Sequence, residues 1–169
     1  MKIFYYFLSI FLFGTFFLQG QVADRPTLAA GRFLGEIRID GYMDEEEWKN
    51  APVLNTFQTT VPIEKGVPSA ATLVRVLVNE KSLIIGIQCE DPDPDKIVRF
   101  SKLRDTDISN EDHVKVVIDP FLDGQSGYIL AVNANAARYD ALVSNRGESE
   151  NEDWDAIWEA RVSINESGC

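Results

Sequence analysis

The sequence predicts an all-β domain, a β-sandwich with one short N-terminal helix. Short apolar runs alternate with polar residues at a period of two, which is typical of strands that bury one face. Turn residues separate these runs, and very little of the chain has helical periodicity. Its 169 residues are enough for one domain of ordinary size. Several short strands with turns between them favour a sandwich over a helical bundle.

The first twenty residues have the pattern of a secretory signal peptide. Lys2 supplies a positive start, and an almost purely apolar run follows from Ile3 to Leu18. This run is shorter than the ~20 residues that span a membrane comfortably, which disfavours the alternative of a membrane anchor. We therefore expect residues 1–20 to direct export across the inner membrane, to the periplasm, the outer membrane or the cell surface. Residues 21–35 are predicted to be a weakly structured leader, and residues 36–169 the domain.

The formal net charge of −11 limits the range of partners. Such a chain repels nucleic acid and anionic membranes unless it has a basic patch, and no such patch is present. The acidity serves either solubility or the binding of a divalent cation. The two cysteines leave a disulfide open, although Cys89, in an apolar strand, is more typical of a small buried hydrophobic residue.

The first elements are short. Glu36 to Asp40 is predicted as a strand, and Asp44 as the N-cap of a brief acidic helix that ends before Pro52. Trp48 is the helix's one large apolar residue. It suits either a sugar-stacking platform or a core anchor, and we favour the anchor because nothing else would hold this helix down.

Two hairpins are the clearest elements of the chain. Thr72 to Asn79 and Leu83 to Cys89 are rich in β-branched residues and are joined by a short polar turn. The stretch from Asp112 to Asn133 alternates in the same way on both sides of the Asp123-Gly124 turn. Arg138 to Ser144 is predicted as a further strand.

Trp154 to Ile164 is also predicted as a strand, with Trp154, Ala156, Trp158, Ala160 and Val162 on one face. Trp158 fits the sheet's core face. Trp154 lies next to a long acidic loop and is a candidate for contacting a ligand. After this strand, Asn165 to Gly168 form a turn without a return strand, so we expect further strands of the domain beyond residue 169.

Five aspartates are candidate ligands of a structural calcium ion. Asp91, Asp93 and Asp95 alternate with prolines in an extended loop, and Asp119 and Asp123 flank the turn of the second hairpin. Calcium prefers oxygen ligands from such loops. The alternative is a solvated loop in which the carboxylates cap nearby turns.

Four stretches together resemble the family 9 carbohydrate-binding-module-like domain. They are IDGYMDEEEWKNAP, VRVLVNEKSLIIGIQCEDPDP, DHVKVVIDPFLDGQSGYILAVNANAARYDALV and WDAIWEARV. The closest resemblance is to the version found at the N-terminus of large secreted or outer-membrane proteins of Bacteroidetes-type bacteria. The resemblance covers roughly residues 36 to 169. It implies a jelly-roll or immunoglobulin-like sandwich, structural calcium, and binding of xylan or cellulose chain ends by a module attached to a polysaccharide-degrading enzyme.

The sugar-binding positions of the family are only partly matched. No aromatic residue occurs at Ile108 to Asn110, and no arginine at Leu130 to Val132, where the founding members carry theirs. The first hypothesis is nevertheless an extracytoplasmic glycan-binding module that takes part in carbohydrate breakdown. Its candidate ligand-binding residues are Trp154, Arg99, Arg104, Asp112 and Asn133.

The second hypothesis, favoured by the missing aromatic and arginine, is an interaction or plug domain of an outer-membrane barrel protein. Such a domain would bind the C-terminal part of its own chain and no sugar. An enzyme is the third hypothesis, since two carboxylates suffice for glycoside hydrolysis. No catalysis is expected within this segment, because surface acids make such pairs common, although the full-length protein could be a glycoside hydrolase.

Overall fold

The computed structural model describes residues 26–169, so the predicted signal peptide and residues 21–25 of the leader lie outside the described residues. Seven strands form two sheets, and helix is almost absent from the described part. The strands are β1 (Gly31–Arg32), β2 (Thr72–Val78), β3 (Leu83–Cys89), β4 (His113–Ile118), β5 (Gly127–Asn133), β6 (Arg138–Ser144) and β7 (Ser149–Asn151). This arrangement is consistent with the predicted all-β sandwich.

The first sheet has the order β1-β2-β3. The predicted hairpin is confirmed, since β2 and β3 pair antiparallel from Thr72 opposite Cys89 to Val78 opposite Leu83. The side-chain amide oxygen of Asn79 accepts the N–H groups of Lys81 and Ser82 and so holds the turn between them. β1 joins β2 in parallel and lies within the segment predicted as a leader.

One face of this sheet is covered by the helix α1 (Glu46–Asn50). Trp48 is 3% exposed and packs with Phe33, Ala51 and Leu77, which confirms its role as a core anchor. The N-cap is Glu45 and not Asp44 as predicted, and it makes no side-chain capping bond. Gly86 of β3 lies directly beneath the Trp48 ring, where a Cβ atom would come within about 3 Å of two ring carbons.

The second sheet has the order β4-β5-β6-β7, and its neighbouring strands pair antiparallel. The predicted hairpin of β4 and β5 is confirmed, as is the strand from Arg138 to Ser144. β5 alternates strictly between buried and half-buried residues. β7 is short, fully exposed, and lies in the stretch predicted as a long acidic loop.

Two predicted strands are wrong as regular elements. Glu36 to Asp40 is irregular, and Trp154 to Ile164 is an extended segment that joins neither sheet's ladder. The predicted alternation of the second segment is nevertheless present, because Trp154, Ala156 and Trp158 are half-buried while the residues between them are exposed. Its backbone bonds to the side chains of Arg138 and Asp140 on the second sheet and of Arg104 in the preceding loop, instead of to a neighbouring strand.

The one α-helix among residues 26–169 spans five residues, and none of the described helices has the length and apolar character that crossing a bilayer requires.

A candidate binding cleft between the sheets

The two sheets line a common cleft with a volume of about 1710 Å³. The wall from the first sheet includes Val78, Ile85 and Ile87, and the opposite wall includes Val116, Leu130 and Val132. Trp158, Ala160 and Val162 of the extended segment also line it. These side chains are only half-buried, because the cleft is open to water. Open clefts lined by apolar side chains are typical of binding sites, and this one is larger than the ~300–1,000 Å³ of most small-molecule pockets.

The outer edge of β3 runs along this cleft. β3 is the last strand of its sheet, and in its antiparallel pairing only every second residue bonds to β2. The backbone N–H and C=O groups of Leu83, Ile85 and Ile87 therefore point away from β2, toward the outer edge. At the end of the strand, Cys89 and Cys169 exchange two backbone hydrogen bonds of 2.5 and 3.0 Å, and Asp91 donates to the carbonyl of Ser167 at 2.9 Å. Near Cys89, residues 167–169 therefore pair antiparallel with the outer edge of β3.

Asp140 of β6 is a carboxylate whose three partners line the cleft, and its side chain is 0% exposed. It accepts hydrogen bonds from the Arg104 guanidinium at 2.8 Å, the Ala156 N–H at 2.5 Å and the Trp158 indole N–H at 3.0 Å. Arg138, which also lines the cleft, lies 5.7 Å from the centre of the Trp158 ring and donates to the Trp158 carbonyl. These bonds hold the extended segment against the second sheet.

Arg104 was predicted to contact a ligand, and the structure places it between three carboxylates. Asp140 and Asp155 each lie 2.8 Å from its guanidinium, and Asp105 lies 3.3 Å away. Burial alone would lower the pKa of Arg104, but these carboxylates outweigh it and raise the pKa. The charge of Arg104 is thus matched within the domain.

Asn133, also a predicted ligand contact, is 1% exposed. Its amide group donates to the Ser101 carbonyl and to Glu111, and its oxygen accepts the Ala137 N–H. Burial would raise the pKa of Glu111, but hydrogen bonds from Ser101, Phe100 and Asn133 outweigh it and lower the pKa. This network fixes the loop from residue 97 to residue 111 on the second sheet.

The remaining three predicted ligand contacts are dispersed. Asp112 is exposed, lines the cleft and accepts the Val98 N–H at 2.7 Å. Arg99 is exposed in the preceding loop. Trp154 is half-buried and stacks on Tyr128, with ring centres 4.9 Å apart. Of the five residues, Arg104, Asp112 and Asn133 line the same cleft, whereas Arg99 and Trp154 are not among its lining residues.

Four of the five predicted calcium ligands are engaged within their own loops. Asp91 accepts the Asp93 N–H at 2.7 Å, and Asp93 pairs with Lys96. Asp119 accepts the N–H groups of Gly124 and Phe121, and the bond from Gly124 is the largest cause of its lowered pKa. Asp123 accepts the N–H groups of Gln125 and Ser126, and Asp95 is exposed.

Within residues 26–169, the one group of three acidic side chains with oxygens close enough to share an ion is Asp105, Asp140 and Asp155. This donor set fits calcium poorly, because the ion takes six to eight oxygens and these three carboxylates already pair with Arg104. Structural calcium therefore stays a prediction.

Sequence reasoning missed the residues that organise the cleft. Asp140 and Glu111 were not singled out, because a buried acid and a solvated acid look alike in an alternating pattern. The alternation of the strands did contain an indication that Asp140 faces the same way as apolar residues. Asp140 is in register with the apolar Leu130 of β5, and directly opposite residues share one face of a sheet.

Comparison of the chain with protein-family models, curated proteins and solved structures finds no significant match.

Proposed function

We propose that this chain is an exported, non-catalytic binding module whose inter-sheet cleft receives an extended polypeptide strand. The observation that carries the proposal is the open apolar cleft between the sheets, bordered by the outer edge of β3. Half-buried valine, leucine and isoleucine side chains on both walls favour an apolar occupant over water. The surrounding sandwich is proposed to be of the jelly-roll or immunoglobulin-like type, as the sequence resemblance implies.

The edge of β3 supplies both the affinity and the direction of this strand. Outward peptide groups at Ile85 and Ile87 offer hydrogen bonds to an added strand, as in other cases of recognition by strand addition. Because Cys169 already pairs antiparallel with Cys89, an antiparallel strand would extend that pairing along β3. Its alternate side chains would fill the cleft beside Ile87, and we expect these to be apolar.

We assign the strand to another segment of the same protein. A tethered segment reaches the edge at a high effective concentration, so weak strand pairing is sufficient for occupancy. This assignment agrees with the interaction domain suggested by the sequence, and with the engagement of Arg104 and Asn133 in internal contacts. It places the domain in a larger envelope protein, in the periplasm or at the cell surface.

A fluorescent apolar dye tests the accessibility of the cleft. We expect the chain to bind anilinonaphthalene sulfonate, and a designed extended peptide that alternates valine with threonine or lysine to displace it. Ile87→Lys places a charge on the cleft wall and should weaken both ligands about tenfold or more. Val117→Lys, on the exposed face of β4, is the matched control and should leave both unchanged. Equal effects of the two variants would contradict the proposal.

Glycan binding is the second candidate function, and one observation favours it. Trp154 keeps part of its ring accessible beside an exposed acidic loop while Tyr128 supports it by stacking, as aromatic platforms for sugars require. Titration calorimetry with xylo- and cello-oligosaccharides tests this function. Saturable heat that Trp154→Ala abolishes would establish it, and the absence of heat with every oligosaccharide would exclude these glycans as ligands.

A further inference from the structure

Cys89 and Cys169 lie directly opposite each other, although they are far apart in sequence. Each donates its backbone N–H to the other's carbonyl, at 2.5 and 3.0 Å. Such a hydrogen-bonded antiparallel pair holds its Cα atoms about 5.5 Å apart, within the range that a disulfide spans. Directly opposite side chains also lie on the same face of a strand pair, so the two sulfur atoms are on the same side of this pair.

The two thiols are close enough in the reduced protein to shift each other's pKa. Their mutual interaction is the largest cause of both pKa changes. It lowers the pKa of Cys169 to about 7 and raises that of Cys89. Disulfide exchange starts from a thiolate, and the same bond forms whichever of the two cysteines attacks first. Both residues are half-buried, so a small oxidant can reach them.

We propose that Cys89 and Cys169 are a modification site that forms an intramolecular disulfide under oxidising conditions. The oxidant is a low-molecular-weight disulfide such as oxidised glutathione. The Cys169 thiolate attacks one glutathione sulfur, the S–S bond breaks, and a glutathione thiolate leaves. Cys89 then loses its proton to solvent and attacks the Cys169 sulfur, which expels the second glutathione. Two protein thiols are oxidised, and one glutathione disulfide is reduced to two thiols.

The bond would fix residues 165–169 on the edge of β3. In the reduced protein, this turn is held there by a few backbone bonds, from Cys89 and Asp91 to Cys169 and Ser167. A disulfide between distant residues closes a long loop and so removes much of the freedom of the unfolded chain. This consequence is independent of what occupies the cleft, so failure of the disulfide would leave the proposed function standing.

Equilibration of the chain in glutathione redox buffers tests the proposal. We expect thiol alkylation under denaturing conditions to find no free cysteine in the oxidised monomer and two in the reduced one. The melting temperature should rise by about 10 °C on oxidation. Hydrogen exchange at the Cys89 and Asp91 amides should slow in the oxidised form.

The single variants Cys89→Ser and Cys169→Ser are the controls. Each should melt within about 2 °C of the reduced wild type, show no rise on oxidation, and carry glutathione on its remaining thiol. Because Cys169 is at the end of a turn, its substitution tests the bond without disturbing the strand. Glutathione on both cysteines of the wild type, or covalent dimers in place of the intramolecular bond, would overturn the proposal.

Discussion

At the scale of single residues, Asp140 holds the extended segment in place. A carboxylate with no exposed surface needs every hydrogen bond that it can accept, and Arg104, Ala156 and Trp158 supply them. Three parts of the chain that are distant in sequence are joined at this one side chain. The wall of the cleft that contains Trp158 therefore depends on it.

We expect Asp140→Asn to lower the free energy of unfolding by about 3 kcal/mol, because Arg104 loses its most buried partner. Urea denaturation monitored by tryptophan fluorescence measures the change. Asp155→Asn is the control, since the Asp155 side chain is 73% exposed and its pair with Arg104 is worth at most about 1 kcal/mol. A loss of similar size in both variants would contradict the central position of Asp140.

Glu111 makes stability depend on pH in the acid range. Its hydrogen bonds lower its folded pKa below the ordinary value of 4.5. A depressed carboxyl pKa contributes stability that is fully present above the unfolded-state pKa and is lost as the pH falls through the folded pKa. Asp119, whose pKa is lowered from 3.8, acts in the same direction.

Glu111→Gln should therefore be less stable than the wild type at pH 7, and this difference should shrink below about pH 4 as Glu111 itself becomes protonated. Urea midpoints measured from pH 7 to pH 2.5 provide the comparison. A difference that stays constant over the whole range would show that the charge of Glu111 does not stabilise its loop.

At the scale of elements, helix α1 is held by packing. It has five residues, no side-chain N-cap bond, and one buried large side chain, Trp48. A helix this short is marginal without tertiary contacts. The glycine at position 86 gives the Trp48 ring room against the first sheet.

Trp48→Ala should cost about 4 kcal/mol, because it removes the centre of the cluster formed with Phe33 and Leu77. Tyr42→Ala, on a residue that is 60% exposed, should change stability by less than about 0.5 kcal/mol. Thermal melts followed by near-ultraviolet circular dichroism compare the two. Should Trp48→Ala melt like Tyr42→Ala, the helix would not be anchored as described.

The paired elements were predictable because strand pairing is local. β2 with β3, and β4 with β5, each combine period-two alternation with a nearby turn, and the structure has both hairpins. The segment from Trp154 to Ile164 has the same alternation, but its backbone partners are the distant side chains of Arg104, Arg138 and Asp140. Alternation in the sequence correctly predicts which side chains are buried, but it does not predict what the backbone of the segment bonds to.

The candidate site was less predictable for the same reason. Arg104 and Asn133 were chosen because their side chains can bind ligands, but both form hydrogen bonds within the domain. Arg104 bonds to Asp140, 36 residues away in sequence, and Asn133 bonds to the Ser101 carbonyl, 32 residues away. Proximity between such distant residues is set by the fold, which a single sequence does not contain explicitly. The cleft likewise exists only because two sheets face each other.

At the scale of the whole molecule, the two faces of the first sheet differ. Trp48, Phe33 and Leu77 cover one face and exclude water, whereas the face with Ile85 and Ile87 lines the open cleft. A strand paired to β3 would extend the first sheet and place its alternate side chains in this cleft. The proposed role of this open face is therefore to bind a strand.

Amide hydrogen exchange at β3, measured with and without the designed alternating peptide, shows whether a strand pairs with this edge. The N–H groups of Ile85 and Ile87 face the outer edge, while that of Gly86 faces β2. We predict that the peptide slows exchange at Ile85 and Ile87 by at least about tenfold and changes Gly86 much less. A peptide that binds and leaves Ile85 and Ile87 as exchangeable as before would contradict the account.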